Sequence, residues 1–439
     1  MTKLIKIIFL SSLVSLIYNT TYGQDHSQYE QNNSTGAQEY SGFYRNYPTP
    51  KDKAIEIPNG YSAFYISHYG RHGSRWISEK EIYDRTESLM DNAKKENALT
   101  EKGNRLYLSL KSIIHEAKGM EGELSAQGVR EHRAIAERMY KNYPEVFYKG
   151  ASIDSRATQY SRCILSMCAF DERLKELDTS LQISRKASKK DLHYMSFYGH
   201  TEDSWKKSIQ VSDSLAQQWI KPERFIDSIF SKEDFILNID KPYLAMADIF
   251  HLACSQQATE GKDNLFEYFT EYELAMLGKV LSTQTYIEEG PSTRFGDCNL
   301  ANAKNLLKNI VETADKVISG EIHNVATLRF GHESNIVPLL CLIRADKTDM
   351  RQKVEKIYRT DKSTKTRLWS EELELAAREW NITQICPMAT NLQLVFLKNS
   401  EGNIKVLILH NERKVQLPLE GAPFYDWSIL RNYLNSLCA

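Results

Sequence analysis

The sequence has no surplus of charge of either sign. Its 439 residues carry 56 Lys and Arg against 57 Asp and Glu, a formal net charge of -1 at pH 7. Attraction of the whole chain to nucleic acid is therefore not expected, and an anionic ligand has to be met by local basic clusters. Cysteine is scarce and irregularly spaced: Cys163, Cys168, Cys254, Cys298, Cys341, Cys386 and Cys438. No pair has the spacing of a zinc site, and no Cys, His and carboxylate cluster has that of a catalytic metal site. Neither metal nor cofactor is expected. An odd number leaves at least one thiol free in any disulfide scheme. Cys163 and Cys168 fall on one predicted helix and face different ways. No internal repeat is evident. Beyond the first 23 residues, no stretch is apolar enough to span a membrane.

The chain opens with Lys3 and Lys6, an apolar run from Ile7 to Ile17, and small and polar residues to about Gly23. This is the layout of a secretory signal peptide, and the run is too short for a permanent span. No Cys lies near its end, so a lipoprotein anchor is not expected. The mature protein is expected to be soluble and exported, periplasmic or secreted. Residues 24–42, rich in Gln, Asn, Ser, Gly and Tyr, read as a flexible lead-in. The length and a hydrophobic content of 41% allow a large core and two domains.

What the sequence does have is a short basic loop. Ala63-Phe64-Tyr65-Ile66 reads as a buried strand ending in Tyr69-Gly70-Arg71-His72-Gly73-Ser74-Arg75. The two glycines suit a sharp turn. Arginine presents a planar fork of donors that matches phosphate oxygens. A neutral His72 between such forks can attack phosphorus while the arginines compensate the charge being transferred. A bare Arg-His-Gly is as well explained by a solvated basic turn. The full Arg-His-Gly-x-Arg after a strand is far more specific.

This segment resembles the catalytic motif of the histidine acid phosphatase branch of the histidine phosphatase superfamily. The resemblance implies that His72 is transiently phosphorylated and that Arg71 and Arg75 hold the phosphate. Many members place Pro two residues after the second Arg, where this chain has Ile77 after Trp76. Leu124-Ser125-Ala126-Gln127-Gly128 opens a helix that ends near Tyr143-Pro144, similar to a second, structural landmark of the family. A short strand from Ala151 then feeds a helix from about Ala157 to Leu177. Arg156 stands at that strand's carboxyl end, where ligands bind in open α/β sheets. The helix dipole disfavours a cation there, so an anion has to justify it. By resemblance, Arg156 is the third phosphate-holding arginine, with Ser161, Arg162, Ser166 and Phe170 fitting the helix that follows. A further strand, 324–330, ends in Gly331-His332-Glu333-Ser334. The family has His-Asp here, or His-Ala-Glu in its inositol polyphosphate branch, and this chain matches neither. His332 is expected to donate a hydrogen bond to phosphate. Glu333, if its surroundings keep it protonated, supplies the leaving-group proton. The alternative for Glu333 is a cap on the next helix.

Helical periodicity dominates residues 189–320, which read as an all-α insertion. A loop within it, 289–297, carries Arg294. Arg185-Lys186 and Lys189-Lys190 lie where sheet and insertion meet. Such basic runs are commonly solvated faces. Arg185, Lys189 and Arg294 are nevertheless secondary candidates for holding a polyanion. Strands 392–397 and 404–409 flank a hairpin turn. Pro387 to Leu392, His410 to Arg413 and Phe424 to Trp427 resemble the multiple inositol polyphosphate phosphatase branch. His132 and His410 read as structural. The expected fold is α/β: a Rossmann-like sheet domain flanked by helices, 43–188 and 321–439, with an inserted all-α cap domain, 189–320. The expected activity is metal-independent phosphomonoester hydrolysis through His72, on phytate and other inositol polyphosphates, by a monomer with no nucleic-acid partner. A broad acid or sugar phosphatase is the alternative enzyme. A catalytically inactive anion-binding protein is the alternative of another class.

Overall fold

The computed structural model describes residues 36–50, 55–195, 202–260, 263–301, 303–360 and 365–438. The expected signal peptide and residues 24–35 of the lead-in lie outside them. Eight strands form one sheet: β1 (Tyr61–Arg71), β2 (Ser152–Ala157), β3 (Gln182–Lys186), β4 (Asn324–Gly331), β5 (Asn391–Asn399), β6 (Ile404–His410), β7 (Arg413–Lys414) and β8 (Phe424–Asp426). Their order is β3-β2-β4-β1-β5-β6-β7, with β8 on β6. β3, β2, β4 and β1 run parallel, and β5 and β6 are antiparallel additions. The inner strands are buried on both faces. They are accordingly rich in apolar residues such as Tyr65, Ile66, Leu328 and Phe330.

Helices cover both faces. Ala126–Asn142 and Ser161–Leu177 pack on one, with Ile66, Phe170 and Phe330 in their core. Ala303–Ile318, Glu333–Leu342 and Trp427–Cys438 pack on the other, with Tyr65 and Tyr69. The fold is thus mixed α/β with a central sheet flanked by helices. A third core is purely helical. It joins Lys80–Lys95 and Glu101–Ala117 to Glu223–Ile229, Pro242–Ser255 and Glu271–Glu288. Packing therefore does not follow the chain division at 188 and 320. Helices 80–95 and 101–117 share a core with helices 223–229, 242–255 and 271–288, and helix 303–318 lies on the sheet. No helix among the described residues is long and apolar enough to cross a membrane. All seven cysteines are free thiols.

Helix 126–142, in the connection from β1 to β2, and helix 333–342, after β4, pack on opposite faces, while β1 and β4 are neighbours with Arg71 opposite Gly331. That reversal leaves a crevice at the carboxyl ends of β1 and β4, the place where such sheets bind ligands.

Candidate active site

β1 runs through Tyr69, Gly70 and Arg71, so the loop starts only at His72. Neither motif glycine is needed for a left-handed turn; neither is among the glycines with positive φ. They serve close approach instead. A Cβ on Gly70 would lie 2.7 Å from the His68 ring, and one on Gly73 would lie 2.6 Å from Gly128 Cα and O. The loop is stitched in place by its neighbours. Glu131 accepts from the Ser74 N–H at 2.8 Å and its hydroxyl at 2.7 Å, and Ser166 Oγ accepts from the Gly73 N–H at 3.1 Å. Ile77, where proline is common in the resembled family, donates its N–H to Tyr83 Oη at 3.0 Å. Proline could not make that bond, and the tyrosine fixes the loop in its place.

His72 is fully buried, not exposed on a flexible loop. Its Nδ1 lies 2.9 Å from Gly73 O, which requires the proton on Nδ1. Nε2 then carries the lone pair, and it has no hydrogen-bond partner. Burial holds the imidazole well below its usual pKa, and the Arg71 and Arg75 charges add to this against the pull of Glu333. A neutral, desolvated, oriented imidazole with a free Nε2 is a nucleophile.

Two guanidinium groups, of Arg71 and Arg75, act on it, and a third acts on the neighbouring His332. Arg71 donates from Nη1 to Phe43 O and Cys386 O and from Nε to Glu333 Oε2 at 3.0 Å. Arg75 donates from Nη1 to Trp76 O. The third is Arg162, at the second position of helix 161–177, whose charge acts on both Arg75 and His332. Each keeps one buried N–H without a partner: Arg71 Nη2, Arg75 Nε and Arg162 Nε. Buried unpaired donors are costly, and three on cations at one place fit an anion. Burial and the Arg75 charge also lower the pKa of Arg162, a strain that an anion would relieve.

His332 and Glu333 close the site from β4. The His332 N–H reaches Tyr69 Oη at 3.3 Å, and Nε2 lies 3.1 Å from Thr158 Oγ1. A side chain on Gly331 would collide with that same tyrosine hydroxyl, 2.1 Å away. Burial lowers the His332 pKa to about 4. Glu333 is the first residue of its helix and does not cap it; the N-cap is His332, with no side-chain bond. The Glu333 carboxylate instead meets Arg71, and its Oε2 is 3.4 Å from His72 Nε2. Burial opposes its ionisation, but Arg71, His72 and Arg75 outweigh this and hold it well below the usual carboxylate range. Glu289 is the opposite case. Its Oε2 is buried without a partner, and burial together with the Glu333 and Glu288 charges pushes its pKa far up. Donor atoms of His72, His332 and Glu333 lie within 4.8 Å of one another, the number a metal site needs. The three adjacent guanidinium groups make that point favour an anion over a cation.

Arg156, expected as the third phosphate ligand, is spent elsewhere. Its guanidinium binds Asp154 through Nε at 2.8 Å and Nη2, Asp191 at 3.2 Å and Tyr194 Oη at 2.6 Å. Asp154 and Arg156 share one face of β2, so the acid two residues back neutralises the arginine. Arg185 is likewise held at 2.9 Å by the fully buried carboxylate of Asp171, a structural pair. Arg294 lies over the Trp369 ring at 4.4 Å. It is the carboxyl of Glu289, at the start of the same loop, that interacts electrostatically with Arg71 and Glu333. Lys189 is solvent-exposed in the short turn after β3. His132 and His410 are buried packing residues, His410 with Nε2 at 2.7 Å from Ile385 O.

The chain belongs to the histidine phosphatase superfamily (branch 2), whose family pattern matches residues 70–411. No curated protein matches its sequence. Among solved structures it is similar in fold to the multiple inositol polyphosphate phosphatase of Bifidobacterium longum in complex with inositol hexasulfate. The identity is 17% and the TM-score 0.69, over 90% of this chain and 97% of that one. It is also similar to the phytase from D. castellii, at 12% identity and TM-score 0.68, over 96% of this chain and 90% of that one. A phytase of Hafnia alvei aligns at 10% identity and TM-score 0.54, over 87% of this chain and 98% of that one.

Proposed function

We propose that this member of the superfamily hydrolyses phosphomonoesters in two steps through a phosphohistidine at His72, with phytate and other inositol polyphosphates as its substrates. The observation that carries the reaction is the state of His72: neutral, buried, Nδ1 tied to Gly73 O and Nε2 free. In the first step Nε2 attacks phosphorus and the bond to the ester oxygen breaks. The phosphoryl oxygens take the unpartnered N–H groups of Arg71, Arg75 and Arg162, which compensate charge in a water-poor site. A carboxyl group at Glu333 protonates the departing alkoxide. In the second step water attacks phosphorus, giving a proton to the Glu333 carboxylate, the bond from phosphorus to Nε2 breaks, and phosphate leaves with His72 restored. His332, oriented by Thr158, is placed to bond a phosphoryl oxygen.

The inositol polyphosphate reading is supported by the carboxyl-terminal segments around Pro387 and His410 and by the Bifidobacterium longum neighbour. One observation favours a broader phosphomonoesterase. Arg185 and Arg294, candidates for additional phosphates, are engaged by Asp171 and Trp369. We read the protein as an exported monomer, with a cap centred on residues 189–320 over a sheet domain of 43–188 and 321–439. The test is rapid-quench trapping with phytate, a sugar phosphate and p-nitrophenyl phosphate. The expected result is an acid-labile phosphoryl group on His72, and loss of at least ~10³-fold in turnover for folded His72→Ala. Normal turnover by that variant would remove His72 as nucleophile. Equal kcat/KM for all three esters would remove the inositol polyphosphate assignment.

A further inference from the structure

Tyr160 occupies the N-cap position of helix 161–177, in extended backbone and with no side-chain cap bond. Ser, Thr, Asp and Asn are favoured there because their short side chains cap the helix, and tyrosine forfeits that stabilisation. The ring is also 50% exposed, so burial does not account for it. A residue that breaks the local rule without compensation in packing points to a role in function.

The ring touches two members of the site. The Arg162 guanidinium carbon lies 4.8 Å from its centroid. The His332 ring packs against it at 4.8 Å and nearly perpendicular, at 84°. Arg162 needs such a support. Its Nε is buried without a partner, and the Arg75 charge repels it. An aromatic face attracts a guanidinium and fixes its plane without occupying its N–H groups. A carboxylate in that place would neutralise the cation, as Asp154 does for Arg156.

We propose that Tyr160 is a positioning residue: braced by the His332 ring, it holds the Arg162 guanidinium flat so that its donors face the phosphoryl group. This rests on the reading above that Arg162 binds phosphate. The ring thus acts on phosphate affinity through Arg162, and its effect disappears when Arg162 is absent.

The test uses inorganic phosphate as competitive inhibitor of p-nitrophenyl phosphate hydrolysis by the full-length enzyme. Tyr160→Leu is expected to weaken phosphate binding by roughly 2- to 30-fold, the range of a cation–π contact. Tyr160→Phe keeps the ring and stays within about twofold of the parent enzyme. Arg162→Ala weakens binding, and Tyr160→Leu added to it has no further effect. Tyr160→Gln, a better-tolerated polar residue at a half-exposed position, repeats the Leu result if the Leu variant folds poorly. Unchanged phosphate affinity in the Leu and Gln variants, with Arg162→Ala impaired, overturns the inference. So does a full multiplicative effect in the double variant, which would mean an independent structural role. Unchanged affinity in Arg162→Ala overturns the phosphate-binding reading of Arg162 and this inference together, while His72 trapping still reports on the phosphatase reading.

Discussion

Exchanging the two arginines near the end of β2 for alanine separates a phosphate ligand from a structural ion pair. Arg162 holds a buried N–H that has no partner until an anion arrives. A hydrogen bond to a charged group is worth about 1.5–3 kcal/mol. Arg162→Ala should therefore lower kcat/KM roughly 10- to 150-fold and raise the inhibition constant for phosphate in parallel. Its stability should fall little, since the free enzyme also loses repulsion from Arg75. Arg156→Ala should do the reverse. It strips Asp154, nearly buried, of the two N–H donors on its Oδ2 and leaves it only Lys186 at 3.1 Å on Oδ1. Asp191 loses a second contact. Leaving buried carboxylates short of partners costs about 1–3 kcal/mol, while kcat/KM changes by less than about threefold because no donor is lost from the phosphate site. Steady-state kinetics and urea midpoints at unchanged slope give both numbers. Loss of phosphate affinity in Arg156→Ala without loss of stability, beside a near-normal Arg162→Ala, would refute the assignment and restore Arg156 as the ligand.

Glu333→Gln should slow single-turnover phosphorylation by phytate about 10²- to 10⁴-fold but phosphorylation by p-nitrophenyl phosphate far less; equal slowing of both would indicate damaged phosphate positioning instead. The same pair of substrates applied to Glu289→Gln tests whether the second, protonated carboxyl contributes, and a leaving-group-dependent loss is expected. In the pH profile, His72 is held well below its usual pKa, so lowering the pH through the ordinary imidazole value does not protonate it. Single-turnover phosphorylation, corrected for substrate ionisation, should stay flat from pH 7 to pH 5. An imidazole titrating at about 6.5 would lose roughly 30-fold by pH 5, and that result would show His72 to be solvated.

The strands, the motif loop and the pair after β4 were legible because their signals are local: apolar runs, a dense basic tripeptide, a His and a carboxylate at a strand end. Their identity as one site depends on β1 and β4 being neighbours, which sequence order does not state. The expectation that Arg156 holds the phosphate meets one obstacle in the structure. Arg156 stands at a strand end, but Asp154 two residues earlier shares its face, and that pairing was the available signal against it. Arg162 lies six residues further on, at a helix start with no acid beside it in sequence. The glycines were assigned the wrong task because the need for Gly73 comes from Gly128, 55 positions away, a contact that no local pattern reveals. The chain division at 188 and 320 rests on local periodicity, which likewise does not register contacts between distant segments. Helices 80–95 and 101–117 precede the insertion in sequence, yet their apolar faces are covered by helices 223–229 and 242–255.

The resting charge state of Glu333 is at odds with a general acid, and the substrate itself supplies the way out. In the free site the carboxylate is ionised because Arg71 binds it and Arg75 acts on it. An entering phosphate dianion competes for Arg71 Nη2 and the neighbouring donors and brings negative charge close to Oε2. Like charges a few ångströms apart cannot both stay ionised in a poorly hydrated site. Glu333 then becomes the group that gains a proton, and Glu289 is a carboxyl within electrostatic reach that already carries one. Burial and the Glu333 and Glu288 charges push Glu289 up, while Arg71, His72 and Arg75 hold Glu333 down, so the protonation of each carboxyl follows the charge around the pair. Under the proposed mechanism, acid catalysis is coupled to phosphate binding: the proton would move toward the leaving group only once the arginines turn from Glu333 to the phosphoryl oxygens.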